Sequence, residues 1–281
     1  MSKYFILLIT LFPLMSLSQS KEIFIDENMV EIDSLTFNKK CSSRVLKCLK
    51  YQDSTLIVNK AHRVFKFGKV SSQEYNQIRL LLIKKSKLEI SPDQIIVIKH
   101  VDSIGGSYQA YLKKREENSH NRPVFVTSNV SENNRPIKIR VPGTLSEKQY
   151  DMFQRRGIAK YAKCVKKFER KYNSRVITTY KFNGNKKDLY KSINWVDYPG
   201  IIIPKFLNSV KNGRYLIIKP DGEYFVASRK MGDSSLEKLF KDQNWTKHKE
   251  HLERSETENS KIGYGIFRPF IVIEGNLKFC F

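Results

Sequence analysis

Apolar and polar residues alternate through "KEIFIDENMVEIDS" (21–34) on either side of a turn at Glu27-Asn28, the period-two mark of half-buried strands. A second strand-rich run follows in "STLIVNKAHRVFKFGK" (54–69). The period then changes to that of a helix in "VSSQEYNQIRLLLIKKS" (70–86), where Tyr75, Ile78, Leu81 and Leu82 fall on one face. Ser71 with Glu74 three residues later is a capping box, so the helix starts there. Pro92 blocks helix continuation and opens a linker. Ile95 to Val101 is an unbroken β-branched run, which predicts a central strand. A helix over 107–117, a strand from Pro123 and a polar loop over 130–144 come next. The longest helical pattern runs from Ser146 to Tyr172, with Ser146 or Thr144 as N-cap. "RVITTYKF" (175–182) reads as a strand, and "RYLIIKPDGEYFVASR" (214–229) as two strands joined at Pro220-Asp221-Gly222. A short helix over 234–242, a charged and mobile tail over 250–261 and a hairpin about Gly275-Asn276 complete the pattern.

The first residues add an address. Lys3, the apolar run from Phe5 to Met15 and the small residues Ser16 and Ser18 read as a secretory signal cleaved before Gln19. The run is too short for the roughly 20 residues of a membrane span, and no later segment predicts a transmembrane segment. The mature chain is therefore expected in the periplasm or outside the cell. Four cysteines, Cys41, Cys48, Cys164 and Cys280, lack zinc-site spacing and in an oxidising compartment form up to two disulfides, with three pairings open. One such pairing ties Cys280 to Cys41 or Cys48. Thiol chemistry from these positions requires at least one exposed cysteine of low pKa.

Charge changes the picture further. The chain holds 51 Lys and Arg against 28 Asp and Glu, a formal +23, which draws polyanions. At 100° per residue Arg156, Lys160, Lys163, Lys167 and Arg170 form one stripe of the long helix, and Phe153, Tyr161, Cys164, Val165, Phe168 and Tyr172 form a separate core face. The stripe is a candidate for phosphate contacts or an ordinary solvated face. Gly105, Gly106 and Ser107, at the start of the helix over 107–117, are anion-binding candidates or a tight turn. His100 and Asp102 stand on one side of the strand end, as a base and its orienter do, although no nucleophile adjoins them. His248 and His251 lack the spacing of a zinc helix and read as a solvated surface pair. No metal or cofactor is expected.

The stretch "GRYLIIKPDGEYFVASRKMGDSSLEKLFKD" (213–242), a strand, a Pro-Asp-Gly turn, a strand and a short amphipathic helix, resembles the C-terminal half of the thioredoxin-like fold in its redoxin branch. The resemblance implies that strand 95–101 and its following helix occupy the place of the central strand and active-site helix. Redox chemistry there needs a cysteine at the helix start with a second one turn away, and this chain has Ser103-Ile104-Gly105-Gly106-Ser107. Gly213 and Arg214 stand where the family places a proline. The resemblance thus implies a redox-inactive form. The whole chain also resembles the uncharacterised secreted proteins of Bacteroidetes. The expected class is α/β (α+β overall): a signal peptide (1–18), a small α+β unit (19–90), a thioredoxin-like domain (91–245) with a helical insertion over 130–195, and a charged linker with a hairpin (246–281). The expected role is a binding or accessory module for a protein or anionic partner; the alternative is a secreted hydrolase acting on a polyanion through His100 and Asp102.

Overall fold

The computed structural model describes residues 21–53, 55–103, 108–120, 144–182, 193, 195–197, 200–228, 231, 233–258 and 261–268. These residues form two mixed sheets and seven α-helices, an α+β protein. The signal segment, the strand expected from Pro123, the anion candidates Gly105, Gly106 and Ser107, and the hairpin about Gly275-Asn276 all lie outside them, as does Cys280.

The first sheet has the order β2-β1-β4-β3, from β1 (Lys21–Ile25), β2 (Glu31–Ile32), β3 (Leu46–Gln52) and β4 (Leu56–Arg63). Asp26 shapes the β1–β2 turn by accepting the N–H groups of Asn28 and Val30 at 2.8 and 2.9 Å. Burial alone would raise the Asp26 pKa, but these two bonds and Lys40 outweigh it and hold the carboxyl below its usual range. Helix α1 (Ser34–Cys41) starts at Asp33, which accepts from the Thr36 N–H. Phe37 of α1 packs on Phe24 of β1 with ring centroids 5.3 Å apart. A disulfide joins Cys41 at the end of α1 to Cys48 in β3, so Cys280 is not tied to either of them. The pairing follows from proximity, since α1 turns straight back into the strand beside it.

The second sheet has the order β5-β10-β9-β6-β7-β8, from β5 (Phe65–Lys69), β6 (Ile95–Ser103), β7 (Ser174–Phe182), β8 (Trp195–Asp197), β9 (Tyr215–Ile218) and β10 (Glu223–Ala227). β6 is central: it pairs parallel with β7 and antiparallel with β9. β9 and β10 form the expected hairpin, with Gly222 at φ +84° in its turn. A Cβ there would meet the Val70 carbonyl oxygen at 2.1 Å, so conformation and space both call for glycine. Only Val64 separates β4 from β5, and it belongs to both sheets: its N–H donates to Val45 and its carbonyl accepts from Ser228. Residues 19–90 thus supply strands to both sheets.

Alternation along the strands splits the core in two. One face carries Ile96, Ile98, Ile177, Leu216, Ile218 and Val226 under α2 (Ser72–Ser86) and α5 (Ile202–Lys205). The other carries Val97, Val176, Ile217, Phe225 and Phe65 under α4 (Glu147–Tyr172), α6 (Asp233–Lys241) and α7 (Thr246–Thr257). The first long helix starts at the predicted capping box of Ser71 with Glu74, and of the two N-cap candidates for α4 it is Ser146 that caps, in a capping box with Gln149. α3 (Tyr108–His120) meets the start of α4 through Tyr108, Tyr111 and Tyr150, whose centroids lie 5.0 to 5.9 Å apart.

The stretch 250–261, expected as a mobile tail within a linker, is instead largely α7. Leu252, His248 and Ser255 of α7 are buried, and fully buried Trp245 precedes it, donating its indole N–H to the Leu239 carbonyl at 2.9 Å. Among the described residues no helix is long and apolar enough to cross a membrane.

Candidate functional site

His100 stands near the end of β6, on the face of Ile96 and Ile98, and is buried. Its Nδ1 lies 3.0 Å from the Thr179 hydroxyl on β7, its direct partner in the strand register. Its backbone N–H donates to the Arg214 carbonyl at 2.7 Å. It is not among the lining residues of the two surface cavities described below. Asp102 lies in the same strand, but its side chain is outside the described residues.

The expected solvated pair at His248 and His251 is corrected. His248 is buried, with Nε2 2.8 Å from Asp242 Oδ2, because α7 turns that face onto the end of α6. His251 is half-buried against Gly265, where a Cβ would approach its Nδ1 to 2.0 Å. Burial and the neighbouring Lys247 push the His251 pKa down. Among the described residues no group of His, Cys, Asp and Glu could hold a metal ion. Cys164 is half-buried and, like Cys41 and Cys48, disulfide-bonded, so no described cysteine is a free thiol.

Two surface cavities were not foreseen. One of about 460 Å³ lies between the edge strand β5 and α7, lined by Phe67, Lys69 and Leu252 among others. Its lining carries Arg63, Lys66, Lys69 and Lys249 against Glu253 and Glu256; Arg63 pairs with Glu256 at 3.1 Å and Lys249 with Glu223 at 2.6 Å. The second, about 440 Å³, lies beside His251 and Arg254, and Arg254 pairs with Glu258 at 3.0 Å. In each cavity at least one lining cation is already held by a carboxylate.

The basic stripe of α4 is different. Arg156, Lys160, Lys163, Lys167 and Arg170 are all exposed, and none is in an ion pair among the described residues. Acids nearby are engaged off the stripe: Glu237 takes Lys171 at 3.3 Å and Lys241 at 2.9 Å, and Glu169 takes Arg175 at 3.7 Å. Lys171 and Lys241 hold the Glu237 carboxyl down at about 2. The opposite face is core, as expected, through Val165, Phe168 and Tyr172. Tyr161 packs there too, with Lys99 4.5 Å from its ring centre, and burial pushes its phenol up to about 12. Phe153 is the correction: it is 67% exposed rather than core. At 100° per residue it lies 60° around the helix from Tyr150, past the edge of the tyrosine cluster with α3. With half-exposed Met152 it therefore borders the head of the cationic stripe.

No protein-family model, curated protein or solved structure matches the chain.

Proposed function

We propose that this chain is an exported, redox-inactive, thioredoxin-like binding module that holds an anionic partner on the outer face of α4. The observation that carries the binding role is the stripe itself: five exposed cations without an acid partner among the described residues, bordered by exposed Phe153 and Met152. From Arg156 to Arg170 the stripe runs about 21 Å at 1.5 Å per residue, the reach of several charges on a polyanion. Unpaired cations lose no partner when an anion arrives. Paired ones must first release theirs.

The thioredoxin-like reading is supported by the parallel pair β6–β7, the antiparallel hairpin β9–β10 beside it, and α6 following on the face of α4. The lack of a cysteine between Ser103 and Ser107 supports the redox-inactive part. A buried His100 bonded to Thr179 favours a binding role over hydrolysis.

Retention on immobilised heparin tests the proposal. Lys160→Glu with Lys167→Glu is expected to elute at clearly lower salt than the unmodified chain. Lys84→Glu with Lys85→Glu, on exposed positions of α2, makes the same change in net charge and is expected to elute nearly unchanged. Equal losses from both pairs would mean that bulk charge alone binds, and the proposal would fail.

A further inference from the structure

The first sheet has one covered and one open face. The covered face holds Leu46, Asn59 and Ala61, all buried, beneath α1. On the other face stand Lys47, Leu49 and Tyr51 of β3 with Val58, Lys60 and His62 of β4, none of them buried. The register sets Lys47 directly opposite His62 and Leu49 opposite Lys60. Such direct pairs have Cβ atoms about 5 Å apart. Lys211 joins from the loop before β9, fixed by its backbone N–H to the Arg63 carbonyl at 3.0 Å.

A hydrogen-bond chain orders the centre. Lys211 Nζ lies 3.0 Å from the Tyr51 hydroxyl, and that hydroxyl lies 3.0 Å from His62 Nε2. An ammonium only donates, so the Tyr51 oxygen accepts from Lys211, and the same hydroxyl makes its second hydrogen bond with His62 Nε2. Burial lowers the His62 pKa first, and Lys211, Lys60 and Lys47 all lower it further; no carboxylate acts on it in the other direction. None of the three lysines is in an ion pair among the described residues. The covered face is the contrast, with Lys40 on Glu27 at 2.7 Å and Arg63 on Glu256 at 3.1 Å.

We propose that Lys47, Lys60 and Lys211, together with the Tyr51–His62 pair, bind a sulfate or phosphate group on the open face of the first sheet. Three ammonium groups around one imidazole repel one another, and a divalent oxyanion removes that cost while accepting several charge-assisted hydrogen bonds. Half-buried Leu49 and Val58 beside the cluster reduce screening by water. The bound anion also favours the imidazolium, so His62 takes up a proton as the site fills. This site is independent of the α4 stripe.

NMR titration of the His62 ring in the full mature chain tests it, with inorganic sulfate as probe and chloride at equal ionic strength as control. Sulfate is expected to raise the His62 pKa where chloride does not. Lys47→Gln, Lys60→Gln and Lys211→Gln are each expected to weaken sulfate binding about tenfold, the loss of one charge-assisted hydrogen bond. The triple variant is expected to raise the His62 pKa without sulfate and to end the response. A sugar sulfate in a parallel arm separates the two sources of the group: a response at lower concentration than for inorganic sulfate assigns the site to an ester, and equal responses assign it to the free ion. If sulfate moves His62 no more than chloride, or the triple variant still responds, the site does not exist.

Discussion

Salt dependence gives the α4 proposal a number. Five unpaired cations on one stripe set five contacts to a polyanion at full engagement. For a single-stranded oligonucleotide, used only as a flexible polyanion, log K falls against log salt with a slope of about −0.7 per neutralised phosphate, or about −3.5 for five. Affinity should then drop roughly 130-fold between 50 and 200 mM salt, by the same relation. Lys160→Gln with Lys163→Gln leaves three contacts, a slope of about −2.1 and a drop of roughly 18-fold over that range. Fluorescence anisotropy of a labelled oligonucleotide at several salt concentrations measures both slopes. Lys84→Gln with Lys85→Gln supplies the control, since those lysines are exposed on another face of the molecule. A slope unmoved by the α4 pair, or moved equally by the control, would refute the reasoning, because it would place the contacts elsewhere on a chain of net charge +23.

Other outcomes follow from local geometry. The Cys41–Cys48 bridge closes a short loop, seven residues apart in sequence, and chain entropy makes it worth about 2.5 kcal/mol. Cys41→Ser with Cys48→Ser should lower the urea-unfolding free energy by about that amount, and an unchanged midpoint would contradict the pairing. Burial alone would raise the Glu223 pKa, but hydrogen bonds from Lys249 and Lys219 outweigh it and hold the carboxyl below 4.5. Its contribution to stability is therefore full above the unfolded value and is lost as pH falls through the folded one. Lys249→Met should raise the Glu223 pKa and flatten the loss of stability below about pH 4.5, as read by unfolding at stepped pH. His100→Ala should cost about 2–4 kcal/mol through a cavity and an unsatisfied Thr179 hydroxyl, with polyanion binding intact. Loss of binding at unchanged stability would instead return His100 to the functional site.

What the sequence made legible was whatever a short local pattern controls. The Ser71 capping box, the N-cap at Ser146, the β-branched run of β6 and the Pro-Asp-Gly turn are each set by neighbouring residues, and each forms as expected. Long-range partners were the blind spot. Nothing near His248 announces Asp242 six residues earlier as its partner, because that contact depends on how α7 returns to α6. α7 escaped notice because Leu252 is its one aliphatic residue; the rest of its packing comes from His248, Ser255 and the preceding Trp245. Phe153 misled for the opposite reason. Its angle on the helix borders the core face, but the helices packed on α4 leave it uncovered there. The stripe itself was visible as spacing, and its lack of acid partners needed the fold.

The end of β6 bears on the proposed binding role. In the thioredoxin-like reading, the segment before β9 approaches the active-site helix and presents a proline. Here a Cβ on Gly213 would meet the Leu207 carbonyl oxygen at 2.2 Å, so the backbone already packs against the preceding 3-10 turn. Arg214 is committed on both sides: its N–H donates to Ala227 at 2.9 Å and its carbonyl accepts from His100. His100 in turn is held by Thr179. These bonds join β6, β7, β9 and β10. Among the described residues, cations without an acid partner stand on α4 and on the open face of the first sheet, where an anionic partner gains contacts without breaking an ion pair.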